Sequence, residues 1–154
     1  MYFSLTNKSN NKIKEIALII TGFLAFNLIG ESATIFSGTF VLDNLGSTFK
    51  VFVLGFSVIA LVYSRQYLIV HELLRNEYFI LALMSILGMM VMISGHSLLT
   101  LYLGLEIMSL SLYALIATAR DRAFAIEAAL KYFVLGAIAS GLLLYGMSMI
   151  YGIK

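Results

Sequence analysis

One glutamate, Glu106, lies inside an apolar stretch that carries no other charge, over residues 97–118. If this stretch crosses a membrane as a helix, Glu106 lies nine residues beyond Ser97, which is about 14 Å along the axis. That depth is close to the middle of a hydrocarbon core about 30 Å thick. A carboxylate there must take up a proton, pair with a cation or face a hydrated cavity. A glutamate that changes between these states is a proton-binding site.

Three hydroxyl groups share the helical face of Glu106. They belong to Tyr102, Ser109 and Tyr113, at positions i−4, i+3 and i+7. Such groups can bind the carboxylate or support a chain of water molecules. The alternative is that Glu106 only anchors its helix to a neighbour through a buried ion pair. We favour the proton path, because ionisable residues within a membrane typically mark ion pathways.

Glu127 and Lys131 form a second charged pattern, four residues apart with the acid first. This order favours an ion pair within one helix. Lys131 lies about 12 Å along a helix that begins at Ala123, which is too deep to reach the interface easily and predicts an acidic partner. For Glu127 we favour a structural role. For Lys131 a proton relay and a structural role are equally open.

The composition sets the class of protein. Hydrophobic residues make up 61% of the chain and charged residues only 12%, against about 25% charged residues in soluble domains. A soluble globular domain is therefore excluded, and lipid is the expected solvent. A net charge of +2 gives no reason to expect a nucleic-acid partner. The absence of cysteine excludes thiolate-bound metal centres, and neither histidine has the spacing of a metal motif.

The hydropathy pattern predicts an all-α polytopic membrane protein with about five transmembrane helices in a single domain. The runs lack the alternation of barrel strands, and the chain has no proline to break a helix. Small residues around Gly136, Ser140, Gly141 and Gly146 predict close helix packing, and residues 36–42 suggest a small hairpin. The predicted spans are about 16–30, 47–64, 77–94, 97–118 and 123–151.

The basic residues predict an orientation for these spans. Cytoplasmic loops carry an excess of lysine and arginine, and the five-span arrangement places seven basic residues on the side of the N-terminus. Only Lys50 and Lys154 fall on the opposite side, and Lys131 lies within a span. The N-terminus is therefore expected inside and the C-terminus outside. The seven inside residues are Lys8, Lys12, Lys14, Arg65, Arg75, Arg120 and Arg122.

Long sequence blocks carry a family resemblance, which involves about 120 residues. The blocks LGLEIMSLSLYAL, EAALKYFVLGAIASGLLLYGMSM and FSGTFVLDNLGSTFK closely resemble subunit N of the proton-pumping NADH:quinone oxidoreductase, respiratory complex I, called subunit 2 in mitochondria. The resemblance implies part of an antiporter-like helical bundle. It also implies an N-terminal fragment, a split subunit or a truncated frame that matches family helices two to six.

The resemblance assigns roles to the charged residues. The family's fifth-helix glutamate matches Glu106 and pairs in the family with a lysine of the seventh helix, which would lie beyond Lys154. The lysine of the family's KYF block matches Lys131, beside the proton relay, and Glu127 falls in the same block with a less certain role. These matches imply a proton-translocating subunit that couples NADH-to-quinone electron transfer to proton pumping.

The resemblance also implies the setting of the chain. It would be a membrane subunit of an enzyme, with no redox catalysis and no cofactor of its own. NADH, FMN, iron-sulfur clusters and quinone are expected in partner subunits. The expected partners are other complex I membrane subunits, the remainder of the same subunit and the lipid bilayer. A bacterial inner membrane is the expected location, with the mitochondrial inner membrane as the alternative.

Two other functions stay open at this point. The chain could belong to a multisubunit cation/proton antiporter or act as a stand-alone proton-coupled transporter, with the same glutamate in use. It could also be a non-catalytic assembly piece, in which Glu106 has only a structural role.

Overall fold

The computed structural model describes residue 16 and residues 19–27, 29–71, 76–119 and 121–153. Within these ranges the chain forms one β-hairpin followed by four long helices, and residues 19–27 are also helical. In chain order the elements are β1 (Ala33–Ile35), β2 (Phe40–Leu42), α1 (Asn44–Val70), α2 (Asn76–Ser94), α3 (Leu98–Ile116) and α4 (Ala123–Gly152).

Four helices are long and apolar enough to cross a membrane, namely Asn44–Val70, Glu77–Ser94, Leu98–Ile116 and Ala123–Gly152. The predicted fold class, an all-α polytopic membrane protein, is confirmed. Of the first predicted span, residues 17–18 and 28 lie outside the described part of the chain, so the count of five spans stays a prediction. Residues 8, 12, 14, 75, 120 and 154, which entered the orientation count, also lie outside it.

Helix α1 extends beyond the span that hydropathy predicts for it. The apolar stretch ends before Arg65, but the helix continues to Val70. Backbone hydrogen bonds do not need apolar side chains, and neither proline nor glycine interrupts the stretch after Gly55. At 1.5 Å per residue the 27 residues of α1 reach about 40 Å, which is longer than the hydrocarbon core.

A two-stranded hairpin precedes α1 and is fixed to the turn between α2 and α3. Strand β1 pairs antiparallel with β2, so the first strand lies before Phe36 rather than within the predicted range. Phe36, Ser37 and Gly38 have φ values of 52°, 55° and 85°, which make the tight reversal. The amide of His96 donates to the carbonyl of Thr39 at 3.0 Å. This hydrogen bond joins the hairpin to the connection between α2 and α3.

The backbones of α2 and α3 approach each other closely at Gly88 and Gly104. A Cβ atom added at Gly88 would lie 2.6 Å from the amide nitrogen of Met108 and 2.7 Å from the carbonyl oxygen of Gly104. Small residues let helices in a membrane approach closely enough for extensive van der Waals contact. Of the glycines predicted to allow close packing, Gly136 meets Tyr113 of α3, whereas Gly141 and Gly146 face open space within the described chain, so for these two the packing stays a prediction.

Helices α1 and α2 share a compact apolar core. Leu54 and Leu61 are seven residues apart and therefore lie on one face of α1. They pack with Phe79 and Ile86 of α2, and Phe79 is the most deeply buried of the four. Helix α4 differs, because among the described residues it buries only Ala129 and Met147. Most of its apolar surface is left for lipid or for other helices.

We predict that Gly88→Ala destabilises the α2–α3 pair. The added methyl group must displace backbone atoms, and overpacking of this kind costs about 1–3 kcal/mol. The gain in helix propensity from glycine to alanine offsets up to about 1 kcal/mol of that cost. The expected result is a lower midpoint of thermal unfolding in detergent. Gly55→Ala is the matched control, because Gly55 faces open space within α1. Equal midpoints for both variants would contradict the close contact.

Candidate functional site

Glu106 is the ninth of the 19 residues of α3 and is half-buried. The start of α3 is fixed by Ser97, whose side chain accepts a hydrogen bond from the amide of Thr100 at 3.1 Å. The rotation of the helix is fixed by Gly104, which packs against α2. Two residues further on, the helix has turned by about 200°. Glu106 therefore points away from α2, towards α4.

Ser140 of α4 meets Glu106 across the helix interface. Its hydroxyl donates a hydrogen bond to Oε1 of Glu106. The same hydroxyl is 2.9 Å from the hydroxyl of Tyr102, which lies one turn before Glu106 on α3. A carboxylate and two hydroxyl groups from two helices thus form one connected polar cluster in an apolar setting.

A cavity of about 520 Å³ adjoins this cluster between α3 and α4. Its lining includes all three hydroxyl groups that the helical spacing placed beside Glu106, those of Tyr102, Ser109 and Tyr113. A water molecule occupies about 30 Å³ in the liquid. The cavity is therefore large enough for several water molecules, with polar groups to bind them.

Tyr113 contacts α4 about two turns beyond Glu106, towards the end of α3. Its phenol ring occupies the space in which a side chain at position 136 would lie, so a larger residue there would have to displace the ring. The ring also packs edge-on against Tyr132 and Phe133, with centroid distances of 5.6 Å and 6.0 Å. This aromatic cluster separates the cavity from the part of α4 that carries the second pair of charges.

That second pair is Glu127 and Lys131, joined by a 2.6 Å contact between Oε1 and Nζ. The structure has the ion pair within one helix that the spacing predicts. The side chains are 64% and 70% exposed, respectively, on the surface of this chain. Lys131 lies nine residues before Ser140, or about 14 Å along α4. The structure therefore does not bring Lys131 to Glu106, and the roles predicted for both residues of the pair stay predictions.

The residue that sequence reasoning missed in this site is Ser140. It stood out only as a small residue for helix packing, whereas its hydroxyl binds Glu106. Counting along the chain would not have found it. Glu106 lies 10 residues before Ile116, the last residue of α3, whereas Ser140 lies 17 residues after Ala123, the first residue of α4. Equal distances from the short connection would have selected Phe133 instead, so the sequence alone carries no signal that pairs Ser140 with Glu106.

We predict that the cavity is open to water. The chain has no cysteine, so Ser109→Cys would introduce a unique thiol into the cavity wall. A charged thiol reagent should modify it about tenfold faster than Ser111→Cys, because the reactive thiolate forms only where water reaches it. Ser111 is a matched control on the same helix, since it is 7% exposed and donates to the carbonyl of Ile107. Equal modification rates would show that the cavity is dry.

The chain is similar to known proteins over most of its length. Residues 94–154 match a family described as NADH:quinone oxidoreductase/Mrp antiporter, TM. NADH-quinone oxidoreductase subunit N of Ruthia magnifica subsp. Calyptogena magnifica is 71% identical over 141 residues, which cover 91% of this chain and 29% of that protein. The subunit N proteins of Alkalilimnicola ehrlichii and Thiobacillus denitrificans are 53% and 51% identical, over 91% and 90% of this chain and 29% of each protein.

These relatives are bacterial, and the four apolar helices agree with a multi-pass protein of a bacterial inner membrane. The chain spans 29% of the length of the curated relatives that it matches. By these similarities the chain belongs to the NADH-quinone oxidoreductase subunit N family.

Proposed function

We propose that the chain forms part of a proton-translocating membrane subunit of NADH:quinone oxidoreductase, which couples electron transfer from NADH to quinone to proton pumping. The observation that carries the proposal is the carboxylate of Glu106, half-buried at mid-helix beside a cavity whose largely apolar lining includes hydroxyl-bearing residues. The names of the relatives support the assignment to this enzyme.

The surroundings of Glu106 suit reversible protonation. Within the part of the chain that the structure describes, no lysine, arginine or histidine forms an ion pair with it. Its charged form therefore depends on hydroxyl groups and on water in the cavity. Its protonated form avoids the cost of a charge within the membrane, which is several kcal/mol. A carboxyl group with hydrogen-bond partners for both forms is what a site needs in order to take up and release a proton.

A charge that moves near Glu106 is enough to change the ratio of its ionised and protonated forms. Two unit charges 10 Å apart interact by about 1.7 kcal/mol at an effective dielectric constant of about 20. This energy changes a protonation equilibrium more than tenfold. When a cation retreats from Glu106, the carboxylate takes a proton from cavity water, and when the cation returns, the proton leaves. We propose that this cation comes from the remainder of the subunit, as the family resemblance implies.

The exposed ion pair on α4 supports the proposal of further partners. Glu127 and Lys131 lie in the first third of a membrane-spanning helix, yet no other part of the described chain covers them. Charged groups are costly against lipid, so they face protein or water. We propose that other complex I membrane subunits, or further helices of the same subunit, cover this face. There Glu127 has a structural role, and Lys131 either takes part in the proton relay or stabilises the same contact.

The redox chemistry is proposed for other subunits of the complex. NADH, FMN, the iron-sulfur clusters and quinone would bind there, while this chain carries protons and no cofactor. A second candidate function follows from the family description, which also includes Mrp antiporters. In that case the same glutamate would serve cation/proton exchange without an NADH-oxidising partner.

We predict that Glu106→Gln lowers NADH-driven proton pumping at least tenfold, because glutamine keeps the shape and loses the exchangeable proton. Pumping is measured by quenching of a pH-sensitive dye in inverted membrane vesicles. Glu31→Gln is the matched control, because Glu31 is an exposed carboxylate outside the four spans and its loss should leave pumping unchanged. Normal pumping by Glu106→Gln would refute the role of this residue.

The assembly of each variant is checked on a native gel that is stained for NADH oxidation. A tagged copy of the chain should migrate at high mass, together with the NADH-oxidising band. Migration only at low mass, without that activity, would contradict the complex I assignment and favour the antiporter alternative.

A further inference from the structure

We propose that Tyr102 and Ser140 are positioning residues that hold Glu106 at the end of a directional chain of hydroxyl groups, and that this chain reverses when Glu106 is protonated. The inference rests on the proposed role of Glu106 in proton translocation. Ser140 binds the carboxylate of Glu106, and Tyr102 binds Ser140.

The direction of the chain follows from the number of hydrogen atoms. A serine hydroxyl has one hydrogen to donate and can accept others. Ser140 donates that hydrogen to Oε1 of Glu106. In the 2.9 Å contact between Tyr102 and Ser140, Tyr102 must then be the donor. With Glu106 ionised, the hydrogen bonds therefore run from Tyr102 to Ser140 and from Ser140 to Glu106.

Protonation of Glu106 permits the opposite direction. The carboxylic acid hydrogen, taken from cavity water, can be donated to the oxygen of Ser140. The hydrogen of Ser140 then rotates towards the oxygen of Tyr102, and the hydrogen of Tyr102 turns towards the cavity. The three heavy atoms keep their positions, and no proton is gained or lost apart from the one that Glu106 binds. The cluster thus stays hydrogen-bonded in both states.

Ser140 lies at the contact between α3 and α4. Among the residues that the structure describes, the hydrogen bonds between α3 and α4 are those from Ser140 to Glu106 and between Ser140 and Tyr102. Helix α4 is otherwise held by apolar and aromatic contacts. The serine hydroxyl therefore determines where the carboxylate lies relative to the cavity.

The first test compares serine variants of α4 in the assembled complex. Ser140→Ala should lower NADH-driven pumping about tenfold, the size expected for loss of one charge-assisted hydrogen bond. Ser140→Thr should restore it, because threonine keeps the hydroxyl. Ser148→Ala is the matched control, since Ser148 donates within its own helix, to the carbonyl of Tyr145 at 2.8 Å, and should pump normally. All rates are normalised to the amount of complex on a native gel.

The second test asks whether the two hydroxyl groups act as one chain. Tyr102→Phe should also lower pumping, and the double variant with Ser140→Ala should pump about as well as Ser140→Ala alone. Independent contributions would multiply, because effects of separate sites add in free energy. Multiplied losses, or a threonine variant that does not recover, would overturn the hydroxyl chain.

The two proposals fail in different ways. If Ser140→Ala pumps normally while Glu106→Gln does not, the hydroxyl chain is wrong and the role of Glu106 stands. If Glu106→Gln pumps normally, the proposed function itself is wrong, whatever the serine variants do.

Discussion

An ionised carboxylate inside hydrocarbon is costly, and the arrangement around Glu106 follows from that cost. Glu106 lies at mid-helix, where the bulk water on either side of the membrane is about 15 Å away. Glu106 accepts a hydrogen bond from Ser140, which also contacts Tyr102, and it adjoins a cavity of about 520 Å³. Hydroxyl groups suit this task because they donate to a carboxylate and accept from a carboxylic acid. A fixed cation would instead favour only the charged form.

Helix α3 packs closely against α2, whereas α4 buries little of its own surface. The backbones of α2 and α3 meet at Gly88 and Gly104, which fixes the depth and rotation of α3 and hence the direction of Glu106. Helix α4 completes the site but buries little of its own surface among the described residues. Its exposed face carries Glu127 and Lys131, whose charges need protein or water around them. The position of α3 is therefore set by contacts within this stretch of chain, whereas α4 buries little of its surface against it.

The features that sequence reasoning predicted are those set within a single helix. Glu106 and its hydroxyl neighbours, Tyr102, Ser109 and Tyr113, share one face because the α-helix repeats every 3.6 residues. The Glu127–Lys131 pair follows from the same periodicity. Contacts between helices were harder to predict, as Ser140 and the Gly88–Gly104 contact show. They depend on how far each helix slides and turns against its neighbour, and a chain rich in small residues permits many such arrangements.

Reversible protonation of Glu106 is tested most directly by infrared difference spectroscopy of the assembled complex, recorded between its oxidised and NADH-reduced states. If Glu106 takes up and releases a proton, the spectrum should contain a band of a protonated carboxyl group. That band should shift in deuterium oxide and be absent in Glu106→Gln, and it should persist in Glu31→Gln. A spectrum in which Glu106→Gln retains every carboxyl band of the unmodified complex would show that Glu106 keeps one protonation state and does not carry protons.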